Sequence, residues 1–345
     1  MSLLILDLIK RMNYFIDNYK VLYYIDIPNA GSKNIVKKNQ PRICRFCGKG
    51  PPEVKFRKKA HAIPELLSNK NILSYDECDE CNEFFGLTLE VELAKYLGLE
   101  RIFLKMNGKK GIPSYKSNDK SARLDVKGDK HILQVSEKNS FIKIDEEKKE
   151  ITFQEDETKY IPIAVYKSLV KIGISLLPLE ELVNFRSTIS WLKESSHSKE
   201  MNFYAYVLKT VVPMEKRPLS FPLTVTGMLR KNNDFSIPYY QVLIEVKNIS
   251  FEFIVPCKSK ETLIVKRKIE IESIPRTEEI YRNLSIVEMC KKIEDMRSID
   301  FITRNKREFK ASYQRLEDLP IDAKDLREVL ESLGLNKNKT LKKPE

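Results

Sequence analysis

The chain has 345 residues, enough for two or three domains and a sizeable core. Its 42% hydrophobic and 32% charged content describes a soluble globular protein. A formal charge of +12 argues for a polyanionic partner, nucleic acid or an acidic membrane surface, unless it reflects a generally lysine-rich composition.

Residues 1–40 read as a helix followed by a strand. Met12, Phe15 and Ile16 recur at helical spacing, and Val21 to Ile27 is rich in β-formers. Asp7 interrupts the first apolar run and Lys10-Arg11 follow it, which is the wrong charge order for a secretory signal. Val54 to Lys58 alternates apolar and basic residues, as a half-solvated strand does. Beyond Asn82, the spacing of Phe85, Leu89, Leu93 and Tyr96-Leu97 predicts a helix that Gly98 ends. Lys105 to Lys116 is a Gly- and Lys-rich connection, and a domain boundary is expected near it.

Short strands are expected over 120–157, including a hairpin from Phe141 to Phe153 with a charged tip. Helices follow near 162–176 and 179–195. The stretch from Ile161 to Pro178 carries Lys167 and Lys171, so it reads as a buried amphipathic helix, too short and too charged to span a bilayer. Strands are predicted at Tyr204 to Val212, Leu223 to Leu229, Tyr239 to Val246 and Phe251 to Val255. The remainder is charged and expected to be mostly helical. The expected organisation is an α+β chain with an N-terminal region 1–106 (core about 42–97) and an α+β domain 107–275 of unassigned role. A charged helical region 276–335 and a disordered basic tail 336–345 complete it. His131 and His197 lie in polar contexts and are expected at the surface.

The chemistry concentrates in the N-terminal region. With no signal and no span, the expected location is the cytosol, where thiols stay reduced and CxxC pairs read as metal ligands before disulfides. Cys44 and Cys47 form one pair, Cys78 and Cys81 the other. Each lets two sulfurs from one tight turn reach the same ion, and two pairs complete a four-cysteine structural zinc site. Four thiolates leave no open position for catalysis at that ion.

Between the pairs lies His61, and Asn82 directly follows the last cysteine. Phosphodiester hydrolysis needs a base, a divalent metal and positive surface. Imidazole suits the first, with an ordinary pKa of about 6.5. An asparagine carbonyl oxygen suits Mg²⁺. Lys55, Arg57, Lys58 and Lys59 suit the third.

This stretch resembles the HNH endonucleases of the ββα-metal fold, in their zinc-knuckle form. The matching residues are Cys44 and Cys47, His61 with Ile63 and Pro64, Asn71 before Ile72-Leu73, Cys78 and Cys81, and Asn82. Phe84-Phe85-Gly86 and Glu90 continue into the expected helix. The resemblance covers roughly 42–97. It implies that His61 is the general base, that Asn82 ligates a catalytic Mg²⁺ or Mn²⁺, and that Asn71 orients the loop or the His61 ring. It also implies DNA hydrolysis leaving 5′-phosphate and 3′-hydroxyl ends.

One residue departs from the pattern. The position before the catalytic histidine is usually Asp or Glu, a second metal ligand, and here it is Ala60. Glu90, about 12 Å along a helix axis from Asn82, is too far to share its ion. The metal is then held by Asn82, phosphate and waters, or by a carboxylate such as Glu65 or Glu83 that folds in. The alternative is a degenerate site that binds nucleic acid without cutting it. A third reading is an adaptor whose zinc end only docks a partner.

Residues 1–116 hold 20 Lys and Arg against 13 Asp and Glu, so the basic excess concentrates at this end. DNA is the expected partner, with RNA open. The second domain is expected to restrain, target or trigger the first through a ligand or protein partner, as in bacterial defence or restriction proteins of this family.

Overall fold

The computed structural model describes residues 3–27, 42–128, 130–136, 138–212, 223–261, 271–276, 279 and 289–312. In chain order, α1 (Leu3–Asn18) runs into β1 (Tyr19–Ile27). The cysteine-rich segment leads to α2 (Asp79–Phe85), a π-helical turn (Gly86–Glu90) and α3 (Val91–Leu97), then α4 (Glu100–Phe103). Short strands follow: β2 (Tyr115–Lys116), β3 (Ala122–Lys127), β4 (Lys130–Val135), β5 (Ile142–Asp145), β6 (Glu150–Glu155) and β7 (Thr158–Tyr160). Next come α5 (Pro162–Leu176), α6 (Arg186–Leu192), β8 (Tyr206–Val211), β9 (Leu223–Arg230), β10 (Tyr240–Val246) and β11 (Ile249–Ile254). The described chain closes with β12 (Cys290–Asp295), β13 (Ile302–Arg304) and β14 (Arg307–Ser312).

Contacts divide the chain into two compact units. The larger joins Met1–Pro113 to Thr158–Arg304, and the smaller joins Ser114–Glu157 to the chain from Asn305. The cysteine-rich segment and α5 belong to the same, larger unit. Within the smaller unit, β2, β3 and β4 form one antiparallel sheet, and β14, β6 and β5 form another.

The larger unit is built on a six-stranded antiparallel sheet in the order β1-β9-β10-β11-β8-β12. Val242, Ile244 and Val246 alternate onto one face with Val225, Phe251 and Phe253, and this face joins a core that also contains α5. Helix α5 starts at Pro162, whose fixed φ suits a first helical position, and ends before Pro178. Every residue from Pro162 to Ser175 is buried, so the helix is central and has no solvent face. The amphipathic expectation therefore fails on Lys167 and Lys171, which are inside. Gly173 lets α5 approach the sheet: a Cβ there would lie 2.7 Å from Val255 Cγ2. Tyr166 Oη donates to the Ile254 carbonyl at 2.7 Å, and Tyr240 Oη to the Gly173 carbonyl at 3.1 Å.

Three expectations change. Val54 to Lys58 is turn and irregular chain, because the N–H groups of Arg57 and Lys58 bond the Asp79 carboxylate instead of a strand partner. The described residues after 289 form three strands and the chain between them, not helices. Lys291, Lys292 and Glu294 sit on β12, an edge strand, where charge is normal and resists further pairing. Residues 313–345, including the basic tail, lie outside the described residues. His131 is exposed as expected, but His197 is buried, its imidazole pKa pushed down by burial and by nearby Lys167. Among the described residues, no helix is long and apolar enough to cross a membrane.

Candidate active site and metal centre

Cys44 and Cys47 flank a tight turn closed by Gly48 N–H to the Cys44 carbonyl at 2.8 Å. Gly48 has φ +72°, a conformation that favours glycine. Cys78 precedes α2 and Cys81 lies in its first turn, so the second pair is held by helix geometry. The four sulfurs lie within 4.8 Å of one another. A tetrahedral zinc with sulfurs at about 2.3 Å spaces them about 3.8 Å apart. Cys47 and Cys78 Sγ are 3.8 Å apart.

The electrostatics point the same way. Hydrogen bonds from the Cys81 thiol and the Cys78 N–H favour a Cys44 thiolate and lower its pKa to about 4. Burial raises Cys78 to about 12, and the hydrogen bond to Cys44 together with burial raises Cys81 further. One negative sulfur is tolerated, and four require a cation among them. The donor set fits a structural metal such as zinc.

Beside this centre a short hairpin carries His61. His61 forms a single β-bridge with Leu73, extended by Ala62 N–H to the Ile72 carbonyl (3.1 Å) and Ser74 N–H to the Ala60 carbonyl (2.9 Å). The loop between is held by Asn69, which is fully buried. Its Nδ2 donates to the carbonyls of Ile63 and Ile72, and its Oδ1 accepts from the N–H groups of Asn71 and Ile72. Asn69 thus holds the loop closed, and Asn71 joins this network through its backbone.

After Pro64 a 3₁₀ turn (Glu65–Leu67) brings the Glu65 carboxylate to 3.4 Å from His61 Nδ1. A proton on Nδ1 facing Glu65 leaves the lone pair on Nε2. Burial pushes the His61 pKa below its ordinary value; Glu65 opposes this, while Lys171, Lys109 and Lys59 add to it. The lowered pKa favours the neutral ring, whose free nitrogen can accept a proton.

The hairpin and the helix are tied together. Asp79 N–H donates to the Lys55 carbonyl at 2.8 Å, and the Asp79 carboxylate accepts from the backbone of Arg57 and Lys58. His61 lies just beyond Lys58 and Asn82 just beyond Asp79, so both candidate residues ride on linked elements. Asn82 is half-buried in α2. Glu90 closes the π-helical turn. Burial raises its carboxyl pKa; Lys171 opposes the rise and Glu65 adds to it. Glu90 thus shares an electrostatic environment with the residue beside His61.

Lys171 is the residue that sequence reasoning missed. It arrives from α5, and its Nζ donates to the His61 carbonyl at 3.0 Å and pairs with Glu77 Oε2 at 3.0 Å. Arg45, inside the first CxxC, also reaches α5. Its guanidinium bonds Asp76 and donates to the carbonyls of Ile174, Ser175 and Leu177 at 2.7, 2.8 and 3.2 Å. These are carbonyls at the helix C-terminus, where a cation is favourable.

Lys55, Arg57, Lys58 and Lys59 are all exposed. Lys58 pairs with Glu83 at 2.6 Å, a solvent-screened contact.

Residues 44–97 match the family model described as HNH endonuclease. The segment that carries the four-cysteine centre, the His61 hairpin and α2–α3 is thus an HNH domain, and the class of activity it supports is a nuclease. Comparison with curated proteins found no match, and comparison with solved structures found none.

Proposed function

We propose that the protein is a metal-dependent endonuclease that hydrolyses DNA, with His61 as its base. The observation that carries this reading is the pairing of His61 Nδ1 with Glu65 at 3.4 Å, on a hairpin whose preceding chain is bonded to the helix of Asn82. Water's oxygen bonds to phosphorus as the bond from phosphorus to the 3′ oxygen breaks. Water's proton passes to His61 Nε2, and the 3′ oxygen takes a proton as it leaves. The ends are a 5′-phosphate and a 3′-hydroxyl. Mg²⁺ or Mn²⁺ would supply charge stabilisation at the phosphate. Asn82, with phosphate oxygens, waters and a carboxylate such as Glu65, would hold it. Lys55, Arg57 and Lys59 would bind the backbone of the strand.

An unrestrained nuclease damages its own cell, so the proposal extends to a targeted role such as bacterial defence or restriction, with the rest of the chain providing control. The rival is a nucleic-acid binder without catalysis. Ala60, 2% exposed where the family's pattern has a carboxylate, is the observation that favours it. Nicking of supercoiled plasmid by the wild type, lost in His61→Ala at equal zinc content, separates the two.

A further inference from the structure

We infer that Lys171, a residue of α5 outside the matched segment, is the positioning residue of the His61 base. Its ammonium locks the His61 backbone to the second cysteine pair. This rests on the nuclease reading above.

Two contacts in different directions define the role. Nζ donates to the His61 carbonyl at 3.0 Å, at the one β-bridge of the hairpin. It also pairs at 3.0 Å with Glu77, the residue before Cys78. The side chains of Lys171 and Glu77 are 1% and 0% exposed. Lys171 therefore cannot touch nucleic acid and acts only through its neighbours. The rings of Phe46 and Phe85 lie 5.9 and 5.8 Å from Nζ and surround it with apolar surface.

The position of Nζ is itself fixed. Arg45 holds the C-terminal carbonyls of α5, about one helical turn beyond Lys171. Gly173 seats the same turn against the sheet through its close approach to Val255. Stability alone is a weak reason for such a pair, because a buried ion pair is often no better than a well-packed apolar one. A donor held at a set point over the base's own carbonyl is something an apolar pair cannot supply. The arrangement makes the placement of His61 depend on a helix of the sheet.

The test uses the full chain. Lys171→Met combined with Glu77→Leu removes both charges, so no buried carboxylate is left unpaired, and takes away the donor to the His61 carbonyl. Plasmid nicking is read as kcat and KM, together with zinc content and the side-chain NMR signals of ¹⁵N-labelled histidines, His131 serving as the control. The expected result is a kcat lowered at least tenfold, with KM and zinc unchanged, and His61 signals that shift and broaden. Lys171→Gln with Glu77→Gln keeps a donor for the carbonyl and should recover most of the rate. Wild-type kcat and unmoved His61 signals in a zinc-loaded Met/Leu variant overturn the proposal. So does loss of zinc in both pairs, since Lys171 would then support the fold and not the base. A wild type that never nicks DNA counts against the nuclease reading instead, and the His61 signals then decide the positioning by themselves.

Discussion

Lys171 Nζ meets the carbonyl oxygen of His61 at 3.0 Å across 110 positions of sequence. The same ammonium balances Glu77, whose carboxyl pKa burial raises and Lys171 lowers. Three carboxylates that matter to the site, Glu65, Glu77 and Glu90, are thus linked electrostatically to one buried cation or to each other.

Breaking this pair on one side should be costly. Lys171→Met alone leaves Glu77 buried and unpaired, which is expected to destabilise the fold by about 3–5 kcal/mol. Adding Glu77→Leu should restore most of that loss. Urea unfolding of the two variants checks it, and equal midpoints would show that the pair carries no such strain.

The loop predicts a contrast between two asparagines. Asn69→Ala deletes two donated and two accepted bonds in a buried site, and should cost about 3 kcal/mol or more. Asn71→Ala keeps its backbone contact and should change stability by less than about 0.5 kcal/mol. Chemical denaturation of both variants gives the comparison.

The pH dependence follows from His61. Its folded pKa is lowered, so as pH falls the unfolded chain takes up this proton first. The stability linked to this group is present above about pH 6.5 and is lost as pH falls from there toward the folded value. The base is active when neutral, so the acid limb of nicking should lie below the ordinary imidazole range around pH 6.5. Glu65→Gln removes the influence that raises the pKa and should move the acid limb lower. Lys171→Met with Glu77→Leu removes one that lowers it and should move the limb higher. A pH profile of kcat/KM for the three proteins reads both directions.

Metal removal should act on fold before chemistry. Chelation, or Cys81→Ser, should expose the thiols and unfold the segment around α2, because the energy of metal binding at such a site is folding energy. Thiol titration and near-ultraviolet dichroism report it. Retention of native dichroism after full loss of metal would contradict a structural role.

Much of the site was legible from local pattern. The two CxxC pairs, the helix that stops at Gly98 and the span of α5 follow from spacing, turn residues and proline punctuation. What escaped depends on distant packing. Nothing around Lys171 marks it as more than one of two lysines in an apolar helix. Asn69 and Asn71 look alike until the loop closes and one of them is buried. Glu90 is far from Asn82 along the helix axis, yet its carboxyl interacts electrostatically with Lys171 and Glu65, which lie on other elements. The charged strands β12 and β14 carry no apolar alternation strong enough to reveal them, because each pairs through its backbone at the edge of a sheet.

The most direct measurement is nicking of supercoiled plasmid in Mg²⁺ or Mn²⁺ by the wild type and by His61→Ala, both with full zinc content. The account predicts nicked and linear products from the wild type and at least a hundredfold loss in the variant, the scale expected for a general base. Equal cleavage by both proteins would contradict it.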